Sequence, residues 1–266
     1  MRIALVVTHV SDPALRSHRA GFTLTELLVV ISIIAVLATL TLSVSASVRQ
    51  AGNRTRTLSN FRQLATGVLA YAQDNDNALP AEGDANPTWA SAASAANRTA
   101  WYNVIPRALQ QPGLADFATK KAPAFYNQNN LLYVPGAPVP ADVSRPYFTV
   151  SICSKFRQNG IAESTVRLNA VQAPATTVLF QESGITGEKT LPGQKSSNYD
   201  GQSKSYATRT IARLKATVLV VFCDGHVREM AGKDMVNPSG KAWFPQIGPA
   251  GGKVYWTLDP EVDAND

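Results

Sequence analysis

Few places in this sequence offer chemistry. The first is Glu26, the one carboxylate in the apolar stretch Gly21-Phe22-Thr23-Leu24-Thr25-Glu26-Leu27-Leu28-Val29-Val30-Ile31-Ser32-Ile33-Ile34-Ala35-Val36-Leu37-Ala38. No further charged residue follows until Arg49. An acid inside such a segment costs at least a few kcal/mol if it stays charged and unpaired in lipid, so it needs a partner or a task. The second place is the set Cys153, Cys223 and His226, where only the last two are close in sequence. Structural zinc takes paired ligands at short spacing on both sides, which this set lacks, and no nucleophile elbow accompanies His226. The third is Asp74-Asn75-Asp76-Asn77, oxygen-rich in the way calcium prefers. It lacks the glycine at the sixth position and the glutamate at the twelfth of a calcium loop. It reads as a helix-terminating turn, with calcium the one cofactor left open.

These residues need elements to hold them. At about 1.5 Å per residue, a helix over Phe22 to Val48 runs roughly 40 Å, enough to cross a hydrocarbon core of about 30 Å. Beyond it, Leu58, Phe61, Ala65, Val68 and Ala72 step by three and four and form one helical face. The pattern predicts one long helix from about Phe22 to about Gln73, frayed or bent near Gly52. Its first half lies in lipid and its second half on a globular domain. Asp74 to Pro80 stop it.

After that, Ala81 to Ala100 reads as a surface loop of small and polar residues. Trp101 to Pro106 suggests a short helix interrupted by Pro106. Six prolines between Pro112 and Pro146 argue against long regular structure there. Strand signals follow at Tyr147–Cys153, Thr176–Glu182 and Ala216–Phe222. A hairpin turn at Asp224-Gly225 leads into His226–Met230. The acidic tail after Trp256 reads as loose.

The run Gly21-Phe22-Thr23-Leu24-Thr25-Glu26-Leu27-Leu28-Val29-Val30-Ile31 resembles the processing site of type IV prepilins and of the pseudopilins of type II secretion systems. The resemblance implies that a prepilin peptidase cuts between Gly21 and Phe22 and methylates the new amine on Phe22. It implies that Glu26 assists assembly. Leu24-Thr25 departs mildly from the family's usual leucine-isoleucine. Leu58-Ser59-Asn60-Phe61, Tyr71-Ala72-Gln73-Asp74 and the later Phe222-Cys223-Asp224-Gly225-His226 resemble a pseudopilin-like subgroup common in Planctomycetes and Verrucomicrobia. Thr57 and Leu214 stand where that subgroup carries a cysteine and a histidine.

Physics adds to this. A new cation at a helix N-terminus in lipid is disfavoured by desolvation and by the helix dipole. A carboxylate one turn in relieves both, and pairing with a neighbour's amine would make burial depend on register. Methylation keeps the charge.

The resemblance and the patterning together give a pilin-like α+β fold, a long N-terminal helix with a membrane-spanning first half packed on a small antiparallel sheet. The expected division is a leader at 1–21, an assembly and membrane half of the helix at 22–48, an amphipathic half at 49–77 and a globular domain at 78–266. The expected role is structural and not enzymatic: a subunit of a pseudopilus or pilus-like fibre in a type II secretion-like system. The alternative is a membrane-anchored pilin-like display or binding protein that does not polymerise. Partners would be prepilin peptidase, other pilin or pseudopilin subunits and inner-membrane lipid, with the C-terminal part outside the cytoplasm.

The net charge is +6, and Arg2, Arg16, Arg19 and Asp12 leave +4 outside residues 1–21. That is mild, and no nucleic-acid partner is expected. Positive charge flanks the apolar run on both sides, including Arg49, Arg54, Arg56 and Arg62, so charge alone does not orient it. The compartment is oxidising, and whether Cys153 and Cys223 form a bridge or lie buried as small hydrophobes stays open.

Overall fold

The computed structural model describes residues 22–119, 121–127, 130–156, 166–188, 191–195 and 198–266, without the side chains of 41–44, 46, 121 and 127. The leader, with Gly21, lies outside the described residues. The chain divides into two compact units, Met1–Arg49 and Gln50–Asp266.

Helix α1 spans Leu24–Asp74. Residues 50–57 are helical throughout, so Gly52 does not break it. In the second unit the face read from the sequence is the buried one: Phe61, Leu64 and Val68 are fully buried, and Ala65 and Ala72 nearly so. Gly67 brings the backbone close to helix α2 (Trp101–Ala108), where an added Cβ would meet Ile105 Cγ2 at 2.7 Å. Pro106 lies inside α2 and does not interrupt it. Proline disfavours a helical residue before it. Here the burial of Trp101, Tyr102 and Ile105 outweighs that preference. Helix α3 (Lys121–Asn127) is a short piece of the proline-rich region.

The sheet has five strands: β1 (Val150–Cys153), β2 (Val178–Glu182), β3 (Lys204–Ser205), β4 (Thr217–Phe222) and β5 (Val227–Ala231). Their order is β3-β1-β2-β4-β5. β1 pairs antiparallel with β2 through Ile152 opposite Phe180, and β2 with β4 through Gln181 opposite Val220. β4 and β5 form the hairpin, with Val221 opposite Val227. The exception to the expected antiparallel pattern is β3, which runs parallel to β1. Two residues are too short to leave a periodic signal.

β2 is buried along its whole length, which is why its apolar run does not alternate. Its one polar interior residue, Gln181, donates to Ser205 Oγ at 2.9 Å and to the Tyr206 carbonyl at 3.0 Å. One side of the core is filled by aromatic rings: Trp101 meets Phe180 at 5.0 Å and Phe148 at 6.0 Å between centroids. The second half of α1 shares this core. A long N-terminal helix on a small, mostly antiparallel sheet is the α+β architecture expected of a pilin-like chain.

Two stretches differ from their reading. The segment Ala81 to Ala100 is packed, not a surface loop. Asn97 is buried and accepts from the Tyr102 hydroxyl at 2.7 Å while donating to Asp84 Oδ2 at 2.7 Å. The C-terminal tail is not loose. Trp256 and Ala264 are fully buried, and Val178 N–H donates to the Tyr255 carbonyl at 2.9 Å. One large indole anchors a segment whose charges alone suggested freedom.

Candidate functional site

The first turn of α1 carries the geometry around Glu26. Thr23 precedes the helix, and its side chain and that of Glu26 close a reciprocal cap. Thr23 N–H donates to Glu26 Oε2 at 2.8 Å, and Glu26 N–H donates to Thr23 Oγ1 at 3.2 Å. The Thr23 hydroxyl donates to the same Oε2 at 2.8 Å. Two backbone donors left open at a helix start are thus satisfied. The spacing Thr-x-x-Glu is a capping-box signature that was present in the sequence and went unread there, since attention fell on the charge of Glu26 alone. The cap holds one carboxylate oxygen beside Thr23, one residue from the Phe22 nitrogen.

Every described side chain from Phe22 to Arg49 is exposed, Phe22 to 82% and Leu24 to 81%. The hydroxyls in this stretch turn back on their own backbone: Ser32 Oγ donates to the Leu28 carbonyl at 2.7 Å and Thr39 Oγ1 to the Val36 carbonyl at 2.8 Å. Such bonds leave no hydroxyl unsatisfied if water is removed. Among the described residues, no helix is long and apolar enough to cross a membrane. The apolar run is interrupted in that description at 41–44 and 46, whose side chains it omits.

The other residues singled out by chemistry do not come together. Asp76 and Asn77 take left-handed backbone conformations, φ 52° and 62°, and end α1: Asn77 N–H donates to the Ala72 carbonyl at 2.8 Å. The Asp74 and Asp76 side chains are exposed. Among the described residues no group of three or more histidine, cysteine, aspartate or glutamate side chains is placed to hold a metal ion.

His226 stacks on Phe222 at 4.4 Å between centroids, and its Nδ1 lies 2.6 Å from Asp224 Oδ1. It sits at the exposed hairpin turn, away from any nucleophile described there. Cys153 and Cys223 are both free and buried. Cys153 ends β1 and Cys223 follows β4, with β2 between them. Two strand spacings of about 4.8 Å exceed the roughly 7 Å that a disulfide spans between Cα atoms. The fold therefore answers the open question in favour of two thiols. Burial pushes the Cys153 thiol up to about 12 and that of Cys223 well above the usual range.

Residues 16–42 match the family described as the prokaryotic N-terminal methylation motif, which is the prepilin-type cleavage and methylation signal. The match takes in Gly21, Phe22 and Glu26, and it marks the chain as a type IV pilin- or pseudopilin-like precursor. Comparison with curated proteins and with solved structures returns no match for this chain.

Proposed function

We propose that the protein is a structural subunit of a pseudopilus or type IV pilus-like fibre, processed by prepilin peptidase and serving a type II secretion-like system. Cleavage falls between Gly21 and Phe22, and Phe22 receives the methyl group. The span from 22 to 48 is held in the inner membrane before assembly and packs against other subunits in the fibre afterwards. The domain after it lies outside the cytoplasm. The role is mechanical, without a reaction or a cofactor of its own.

The observation that carries this reading is the methylation motif at residues 16–42, set on an apolar helical stretch whose side chains are all exposed where they are described. So much apolar surface in one place favours a lipid or protein cover. The Thr23–Glu26 cap supports the assembly role of Glu26, because it holds a carboxylate next to the amine that processing creates. In a fibre, that carboxylate would compensate the cationic amine of Phe22 in the same or an adjoining subunit.

Intact mass and N-terminal sequencing of the membrane-extracted protein test the proposal. The expected chain begins at methylated Phe22, and Gly21→Ala or loss of the peptidase leaves it uncut. A chain that keeps Met1, or one cut after the apolar stretch, would overturn the reading. Glu26→Ala is then expected to be cut normally and to fail in assembly, scored by the fibre fraction sheared from cells.

A further inference from the structure

A cleft of about 150 Å³ opens in the second unit. One wall is the turn of α1 around Asn53–Thr57, and the others are the loop 134–136, Glu182 at the end of β2, and Arg213-Leu214. Its polar wall is built around Glu182, only 1% exposed. Arg54 Nη1 donates to Glu182 Oε2 at 2.7 Å, and Leu219 N–H donates to the same oxygen at 2.7 Å. Arg54 Nη2 lies 3.2 Å from Glu229. Arg213 is fixed by Glu188 at 2.7 Å and by the Ser183 carbonyl at 2.6 Å, with its Nη1 3.8 Å from Glu182 Oε1.

Two donors in this wall have no acceptor, Arg54 Nε and Arg213 Nη1. A buried donor left open on a charged group costs upwards of about 1–3 kcal/mol. The turn that follows Arg213 adds strain. Lys215 and Ala216 both take left-handed conformations, φ 48° and 59°, in a turn closed by Thr217 N–H donating to the Leu214 carbonyl at 2.8 Å. Neither is the glycine or asparagine such a turn prefers. Open donors and backbone strain in one place are the marks of a site kept for a ligand.

The charges define that ligand. Two guanidinium groups face three carboxylates, Glu182, Glu188 and Glu229, so the network needs no further anion. What it lacks is hydrogen-bond acceptors. The Asn53 and Gln50 amides at the rim add donors and acceptors, and Val134, Pro135 and Leu214 give an apolar wall opposite. A neutral ring with hydroxyl and ether oxygens at its edge and C–H groups on its face matches both walls. The volume is below the roughly 300 Å³ where drug-sized pockets begin. We propose that this cleft binds one neutral sugar unit, either a free monosaccharide or the end of a glycan chain.

The test is titration of the full-length processed protein, in a detergent without a sugar headgroup. The probes are methyl glycosides of glucose, galactose and N-acetylglucosamine, and oligosaccharides ending in the same units, followed by saturation-transfer NMR. At least one glycoside is expected to bind. Arg213→Gln should weaken it by at least about tenfold. Leu214→Trp, which fills the cleft and leaves the ion pairs intact, should abolish binding with the unfolding transition unchanged. Binding by oligosaccharides alone would identify the chain end as the source. No binding by any sugar, binding that survives Leu214→Trp, or displacement by acetate would each overturn the proposal.

Discussion

Helix α1 is one secondary structure with two kinds of surface. In the first unit its described side chains are exposed on every side, with Leu27 and Leu28 above half their full area. In the second unit Phe61, Leu64 and Val68 are at zero while Arg62 and Thr66 between them stay in water. The same backbone geometry thus carries an all-round apolar pattern, which calls for an apolar surround, and an amphipathic one, which calls for a core. Hydrogen bonding along the helix cannot distinguish the two. Side-chain periodicity does, and it predicts opposite responses to the same substitution.

The largest contrast comes from truncating one apolar side chain in each half. Phe61→Ala removes a fully buried ring from the core and should cost about 3–5 kcal/mol. Leu28→Ala removes a side chain that is 55% exposed and should leave the unfolding transition within about 0.5 kcal/mol of the parent. Denaturation in detergent followed by tryptophan fluorescence reads both, since Trp101 and Trp256 are buried in the second unit. Equal effects from the two substitutions would break the comparison.

Next in size is the charge that anchors the second half. Arg54 was counted in the sequence as one of several cations flanking the membrane. In the fold it is turned inward, its side chain 13% exposed and bonded to Glu182. Glu182→Ala leaves two guanidinium groups facing each other without their shared acceptor, and a loss of about 3 kcal/mol is expected. Arg62→Ala, at an exposed position of the same helix, should change little. Denaturation midpoints of the two variants decide whether inward orientation or mere positive charge matters here.

What was legible follows from this contrast. The long helix, its buried face, three strand runs and the Asp224-Gly225 hairpin all rest on repeats or dipeptides that span several residues, and such signals survive in a single sequence. Within the turn only Gly225 has a positive φ, 89°. The parallel strand β3 and the packed tail were not legible, because they depend on partners more than 45 residues away in the chain, Ile152 for Lys204 and Thr176 for Tyr255. At the candidate site, Gly21, Phe22 and Glu26 stood out as a motif, and Gly21 lies outside the described residues. The Thr23 cap was legible and missed. The wall of Arg54, Glu182 and Arg213 was not, since three segments far apart in sequence meet there.

A smaller effect is expected where α1 meets the hairpin. A Cβ on Gly225 would lie 2.4 Å from Leu69 Cδ1, and the positive φ disfavours any side chain at that position. Gly225→Ala should cost about 1–3 kcal/mol. Adding Leu69→Ala relieves the clash and leaves the backbone cost, so the double variant measures how much of the penalty is close approach. Non-additivity is expected because the two residues touch. Strict additivity would mean that the helix does not press on the turn.

The smallest effect belongs to the outer arm of the Arg54 network. The carboxyl of Glu229 is held below its usual value of 4.5, first by the Thr217 hydroxyl and then by Arg54. Its pKa is therefore lower in the folded chain than in the unfolded one. The stability it contributes is present in full above the unfolded value and disappears as pH falls through the folded one. Glu229 is 46% exposed, so solvent screening keeps that contribution small. Denaturation midpoints of the parent and of Glu229→Gln should differ slightly at about pH 7 and converge at about pH 3. A difference that persists at the lower pH would assign the role of Glu229 to packing, and Glu182 alone would then be the acid that holds α1 by charge.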